Sequence, residues 1–301
     1  MFIISPRIGL CNQLQTIVKG ILLGIKYNRD IYIDKFQIHL YDNNFCDINE
    51  ILNISKINEY LKSQGVTIKI LKNIDQHIIN NLSQYFLPNI DYSKVAYSSY
   101  INSDIEENLH KNIIYLGNIV SLDLYKSFNY IYRDYTNMFH LIMTNIIFHD
   151  KFYEIKEKIK TNLKLVNYST IHLRIEDDAI KHFANYYKLS IDQYNNNLLD
   201  FYSKVIEESK QPIYICSGIL SYDNKINYNY YDNLMKNNKL LCDKRTVPIN
   251  EYYLNNRELI AIIDLLIAYD SDNFIGCGIS SFTQTIKTYL KVKKNIDSVI
   301  I

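Results

Sequence analysis

The chain has 301 residues, 48% hydrophobic and 22% charged, and its 33 basic residues against 32 acidic ones leave a formal charge of +1. That length suits two domains of about 150 residues each, and the near-neutral balance excludes a general attraction to nucleic acid or an anionic membrane, so any anion site must be local. Five cysteines (11, 46, 216, 242 and 277) are odd in number, widely spaced and without a C-x-x-C pair, and the seven histidines form no H-E-x-x-H pattern, so neither a disulfide framework nor a zinc site is indicated. Reduced thiols in a cytosol-like compartment are expected. The N-terminus lacks the apolar core and small-residue cleavage site of a signal peptide. The longest apolar run, Leu259 to Tyr269, is interrupted by Asp264 and is too short to span a bilayer. These features lead us to expect a cytoplasmic protein with no membrane span and no nucleic-acid partner.

In chain order, Phe2 to Ser5 reads as a first strand and Pro6 to Cys11 as a loop. Leu14, Ile17, Val18, Ile21, Leu22 and Ile25 then have the i, i+3, i+4, i+7 spacing of an amphipathic helix, with Asn12 where an N-cap would sit. Asp30 to Asp34 predicts a second strand, Ser55 to Gln64 a helix stopped by Gly65, and Val66 to Leu71 a third strand. Leu82 to Leu116 is irregular and reads as loops and short elements. Ser121 to Leu163 is helix-rich. The second half alternates again: strand Thr170 to Arg174, helix Ile191 to Glu208, strand Ile213 to Cys216, a helical stretch at Tyr230 to Asn237, strand Leu240 to Cys242, an apolar helix from Asn256 to Tyr269, strand Asn273 to Gly276, and Ile279 to Leu290. Two successive series of β-α-β units describe an α/β protein of two doubly wound domains.

Three stretches carry chemistry. In Tyr168 to Asp178, Ile171 and Leu173 share one face of a strand, and Thr170, His172 and Arg174 share the other. Strand ends in a parallel sheet open into the ligand crevice, so Arg174 is placed to meet an anion with a planar fork of donors suited to a diphosphate. Read alone, the same residues also describe a local ion-pair cluster of Arg174 with Glu176, Asp177 and Asp178 and a core histidine at 172. In Ser271 to Thr283, a strand leads through Gly276 and Gly278 to a helix start where Ser280, Ser281 and Thr283 sit beside free first-turn amides, a pattern that suits a phosphate and also suits a plain serine cap. Gly9 to Gln13 makes a similar strand-to-helix turn near the N-terminus.

Gly9-x-x-Asn12-Gln13, His172-x-Arg174, and Asp272-x-Phe274-Ile275-Gly276 leading into Ser280-Ser281-Phe282-Thr283 together resemble the three signature regions of GDP-fucose-dependent fucosyltransferases. The likeness is greatest to the protein O-fucosyltransferases, with the α1,2- and α1,6-fucosyltransferases as relatives. His172-Leu173-Arg174-Ile175-Glu176-x-Asp178 is especially similar to the plant O-fucosyltransferase-like branch.

The resemblance implies a GT-B type α/β fold, two Rossmann-like domains facing across a cleft, with residues 1–160 on the acceptor side and 161–301 on the nucleotide-sugar donor side. It implies inverting transfer of fucose from GDP-fucose to a hydroxyl of a protein or glycan, without metal or further cofactor. Arg174 would bind the β-phosphate and bridging oxygen, Ser280, Ser281, Phe282 and Thr283 the diphosphate, and Gly9, Asn12 and His172 would belong to the donor site. Asp264 matches an acid that contacts the guanine edge in some members. Glu176 and Asp178 are candidates for the base, each with a structural alternative. The loop Gln84 to Ser103 is expected on the acceptor side. Competing readings are another GDP-deoxyhexose as donor, an inactive nucleotide-sugar-binding module, and a manganese site at the D-x-D triplet Asp270-Ser271-Asp272.

Overall fold

The computed structural model describes residues 1–39, 44–87, 102–120, 132–219 and 227–300, and the chain divides into two compact units, Met1–Asp150 and Lys151–Ile301. Most of the expected loop 84–103, and residues 121–131 of the expected helix-rich stretch, lie outside the described residues.

The first unit runs β1 (Phe2–Ile4), α1 (Leu10–Tyr27), β2 (Ile31–Ile33), β3 (Lys35–Gln37), β4 (Phe45–Asp47), α2 (Ile54–Ser63), β5 (Ile70–Leu71), α3 (Gln76–Asn80), α4 (Asn102–Glu107), β6 (Ile114–Gly117) and α5 (Tyr132–Met143). Its main sheet is parallel, in the order β5-β2-β1-β6. β1 and β2 are continuous apolar runs without alternation, and every residue in them is buried, as strands covered on both faces require. β3 and β4 form a separate antiparallel pair. That hairpin was not legible in the sequence, and β6 begins at the end of the stretch that read as irregular.

The apolar stripe of α1 is the one its periodicity predicts: Leu14, Ile17, Val18, Ile21 and Leu22 are all buried. Its start differs from expectation. The N–H groups of Asn12 and Gln13 both donate to the carbonyl of Gly9, at 3.0 and 3.1 Å, so Gly9 is the N-cap and Asn12 lies inside the first turn. The helix ends at Asn28 in the left-handed conformation (φ 49°), whose N–H returns to the carbonyls of Gly24 and Ile25.

The second unit contains α6 (Asp150–Asn162, which begins at the boundary), β7 (Ser169–His172), α7 (Asp177–Tyr187), α8 (Ile191–Glu207), β8 (Ile213–Cys216), α9 (Tyr228–Asn237), β9 (Leu241–Cys242), α10 (Glu251–Asn255), α11 (Arg257–Asp270), β10 (Asn273–Gly276), α12 (Ser281–Lys294) and β11 (Val299–Ile300). Its sheet is parallel, in the order β11-β10-β7-β8-β9. α8 opens with a capping box, Ser190 to Gln193. Ile171, Leu173, Tyr202, Ile213 and Ile215 form the centre of a core that α7 and α8 complete.

β7 corrects one expectation. The strand ends at His172 and is central, so Thr170 and His172 are buried along with Ile171 and no face of it is open. The alternation of Thr170, His172 and Arg174 therefore marks two covered faces of a doubly wound sheet. The chain winds from β7 to β8 and β9 in one direction and returns with β10 on the other side of β7. The reversal lies between β7 and β10, and in the first unit the equivalent reversal lies between β1 and β6.

Gly24 allows α1 to sit close to β2. A Cβ there would lie 2.7 Å from the carbonyl oxygen of Arg29 and 2.7 Å from Cδ1 of Ile31. Alanine gains about 1 kcal/mol of helix propensity, but overpacking against a backbone atom costs roughly 1–3 kcal/mol. Gly24→Ala is therefore expected to be net destabilising, read as a lower urea midpoint with unchanged m-value; a raised midpoint contradicts this packing.

Candidate functional site

In the second unit the site is built on the carboxyl ends of β7 and β10, at the point where the strand order reverses and a doubly wound sheet opens a crevice. Three buried groups fasten the chain as it leaves β7. The hydroxyl of Tyr202 donates to the carbonyl of His172 at 2.8 Å, and the N–H of Arg174 donates back to that hydroxyl at 3.3 Å. The hydroxyl of Ser217, just past β8, donates to the carbonyl of Leu173 at 2.8 Å, and the amide of Asn227 to that of Ile175 at 3.0 Å. The backbone that carries Arg174 is thus held at the carbonyls of residues on both sides of it.

The Arg174 guanidinium faces two carboxylates. Nη1 donates to Oε2 of Glu176 at 2.7 Å, while Nη1 and Nη2 reach Oδ1 and Oδ2 of Asp178 at 3.4 and 3.0 Å. Glu176 is 1% exposed and its other oxygen accepts from the N–H of Gly218 at 2.7 Å. Asp178 is the outer partner, with a side chain 38% exposed. The local ion-pair cluster is therefore formed, and the two readings of Arg174 do not compete: a guanidinium that pairs with carboxylates can pair with phosphate oxygens by the same fork.

His172 is buried, with Nδ1 2.8 Å from the hydroxyl of Thr283 and its ring tilted against Phe282 at 4.8 Å between centroids. Burial, followed by the charges of Arg174, Arg257 and Lys244, holds the imidazole well below its ordinary pKa, so it is neutral. Thr283 in turn explains Gly276. A Cβ at that position would lie 2.6 Å from the Thr283 hydroxyl and 2.9 Å from the ring of Phe274, so only glycine lets α12 come this close to β10. Ser280 is the N-cap of α12 and makes no side-chain capping bond. The first-turn N–H groups of Ser281, Phe282 and Thr283 have no intrahelical acceptor, and they carry the positive end of a 14-residue helix.

His172 thus meets Phe282 and Thr283, and Arg174, two residues further along the same exit from β7, meets Glu176 and Asp178. Gly9 and Asn12 are in the first unit, Gly9 ending the loop between β1 and α1 and Asn12 in the first turn of α1. That loop is anchored by Gln13, whose amide donates to the carbonyls of Ile8 and Gln37 at 2.8 and 2.9 Å and accepts from the N–H of Gln37 at 2.9 Å. Ile8, a β-branched residue in the left-handed region (φ 73°), is tied by its own N–H to the side chain of Gln37 at 2.9 Å. Such strain persists only where surrounding bonds impose it.

Asp264 lies inside α11, buried. One of its oxygens accepts from the Tyr214 hydroxyl at 2.8 Å and the other pairs with the ammonium of Lys244, which also donates to the carbonyl of Ser217 at 3.2 Å. Its carboxylate is engaged within the unit. Asp270 of the D-x-D triplet accepts from Lys156 and Lys160 at 2.9 and 2.6 Å, and the triplet precedes β10, at the end of the sheet away from the site. Among the described residues no group of three or more His, Cys, Asp or Glu side chains could hold a metal ion, and no helix is long and apolar enough to cross a membrane. Sequence reasoning missed Lys244 and Arg257, cations that act on His172. Arg257 had one available signal, as one of only six arginines in the chain. Lys244, one of 27 lysines, had none.

No family model matches the chain, and no curated protein does. Solved structures do. The structure of POFUT1 in complex with GDP-fucose shares 10% identity and superposes with a TM-score of 0.56 over 100% of this chain and 97% of that one. The fucosyltransferase NodZ from Bradyrhizobium shares 13% identity, with a TM-score of 0.57 over 95% of this chain and 92% of that one. NodZ alpha-1,6-fucosyltransferase co-crystallized with GDP gives 11%, 0.56, 95% and 91%. At such identities the likeness establishes the fold, and the two α/β units are those of the GT-B architecture.

The depressed pKa of His172 has a definite sign. Below about pH 6.5 the unfolded chain takes up a proton that the folded one refuses, so stability is full above that value and falls as the pH drops. His172→Gln, which keeps a polar partner for Thr283, is expected to remove up to about 1.4 kcal/mol per pH unit from the slope of unfolding free energy between roughly pH 6.5 and 5. His140, lowered by burial in the first unit, leaves a residual slope. Chemical denaturation at stepped pH tests this, and an unchanged slope contradicts a neutral buried imidazole.

Proposed function

We propose that the protein is a glycosyltransferase that moves fucose from GDP-fucose to a hydroxyl of a protein or glycan acceptor, with inversion and without a metal. The observation that carries this reading is that the chain leaving β7 at the switch point of the second unit presents Arg174 two residues after His172, whose imidazole meets Thr283 in the first turn of α12. The fold shared with the GDP-fucose-bound structure supports it. We assign the donor to the second unit and the acceptor to the first.

In this reaction the bond from the sugar's anomeric carbon to the β-phosphate oxygen breaks, and a bond from the acceptor oxygen forms at the opposite face. Negative charge grows on the departing diphosphate while positive charge develops on the sugar. Arg174 and the amides of Ser281, Phe282 and Thr283 are donors fixed in advance where the negative charge grows, and such preorganised donors each lower a barrier by about 3–4 kcal/mol. A guanidinium and a helix terminus supply the charge stabilisation that other transferases obtain from a divalent ion. Neutral His172 adds a hydrogen-bonding group without adding charge and keeps Thr283, hence α12, seated on β7. Ser280, with no capping bond of its own, offers its hydroxyl to the diphosphate.

The guanine contact that the resemblance suggests for Asp264 would require the carboxylate to leave Tyr214 and Lys244. We assign it instead the structural task of holding Lys244 charged beside the site. Asn12 and Gly9 are assigned to the reaction through the first unit's strand-to-helix loop, on the strength of the resemblance.

Calorimetry with GDP-fucose and GDP against UDP- and ADP-sugars, in chelator, is expected to give selective guanine-nucleotide binding. Arg174→Ala is expected to lower kcat/KM for donor turnover by roughly 10²- to 10³-fold. Binding without guanine preference, or only with manganese, overturns the assignment.

A further inference from the structure

The two carboxylates on Arg174 are not equivalent. Glu176 is enclosed, with one oxygen on the guanidinium at 2.7 Å and the other on the N–H of Gly218 at 2.7 Å, and the Ser217 hydroxyl is 3.4 Å from that second oxygen. Moving it would leave a buried amide and a buried charge unpaired. Asp178 is the opposite case. It sits on the outer side of the guanidinium, 38% exposed, and spans the Nη1/Nη2 fork at 3.4 and 3.0 Å with the two-point geometry that phosphate oxygens also adopt. It belongs to the first turn of α7, at the positive end of that helix's dipole, and on its exposed side water can receive the carboxylate once it lets go.

Neither carboxylate is well placed to be the base. Inverting transfer needs the acceptor, and so the base, across the sugar from the leaving group, whereas both acids are bound to the cation assigned to the leaving group. Two carboxylates share the one guanidinium, and that excess of carboxylate opposes a diphosphate.

We propose that Glu176 is a positioning residue that holds Arg174 toward the diphosphate, and that Asp178 occupies the diphosphate's place on the guanidinium and is displaced when the donor binds. The inference rests on the donor reading above and adds to it how the anion site is kept formed and occupied in the unliganded chain. It makes two neutralising substitutions act in opposite directions.

The test is calorimetry on the full chain with GDP and with inorganic pyrophosphate, on wild type, Asp178→Asn and Glu176→Gln, with thermal unfolding as a check on folding. Asp178→Asn is expected to bind both probes roughly tenfold more tightly, with the gain shrinking as salt rises. Glu176→Gln is expected to bind them roughly tenfold more weakly, because the cation loses its orientation although the site loses a negative charge. If Glu176→Gln does not fold, Glu176→Asp keeps the charge, withdraws the carboxylate by one methylene and carries the same expectation. Unchanged or weaker binding by Asp178→Asn overturns the displacement. Tightening by both substitutions reduces the pair to simple charge neutralisation and overturns the positioning role. A wild type and an Asp178→Asn variant that both fail to bind either probe overturn the donor reading itself.

Discussion

A doubly wound sheet has one place where its winding reverses, and in the second unit that place is the boundary between β7 and β10. The connections on either side leave the two strand ends in opposite directions, so no crossover covers them and a crevice opens there. His172 and Arg174 leave one of those ends, and the turn Gly276 to Ser280 leaves the other. The remaining features follow from keeping both ends open and rigid. Tyr202, Ser217 and Asn227 hold the backbone past β7, and the absent side chain of Gly276 lets Thr283 close the gap to His172. The first unit repeats the logic at β1 and β6 with different parts, a left-handed Ile8 and a buried Gln13 in place of a guanidinium.

Burial makes this part of the molecule costly to build. Lys244, Asp264, Asp243 and Glu176 are all nearly inaccessible. Each meets a partner, Lys244 with Asp264, Asp243 with Arg245 and Tyr231, Glu176 with Arg174. A buried pair of this kind is neutral for stability against an apolar pair of the same volume, whereas losing one member costs about 3–5 kcal/mol. Such pairs are therefore poorly explained as stabilisers. They are well explained as the means of keeping cations at the end of a sheet whose other contents are isoleucine and tyrosine.

Much of this was legible because the relevant signals are local. The stripe of α1, the boundaries of β8 and β10, and the glycine turn into α12 all follow from periodicity and from residues with unusual backbone freedom. What was not legible depends on tertiary partners. Asn12 looks like a cap because asparagine is a good one, but hydrogen bonds to Gly9 start the helix earlier. Thr170 and His172 alternate with apolar residues as they would on a half-exposed strand, and nothing within the segment says that helices cover both faces. The β3–β4 hairpin has too few residues for a period. Asp264 inside an apolar helix was visible as an anomaly, but its partners Tyr214 and Lys244 are 50 and 20 residues away. Glu176 and Asp178 read alike in the sequence and differ in the fold, where one is enclosed against Gly218 and the other is 38% exposed.

The central position of β7 also bears on how the chain reaches its fold. β7 registers with β8 at Ser169 opposite Ile213, but its other edge pairs with β10, Ser169 opposite Asn273, about a hundred residues further along. During synthesis at roughly 5–20 residues per second, the edge of an apolar strand stays open for many seconds, with the first unit's sheet already translated. Non-local parallel pairing of this kind is slow and leaves a template for intermolecular pairing. The contact that joins His172 to the helix that follows β10 is thus one of the last features to form, and the partly made second unit is the stage at which the chain is most dependent on protection from aggregation.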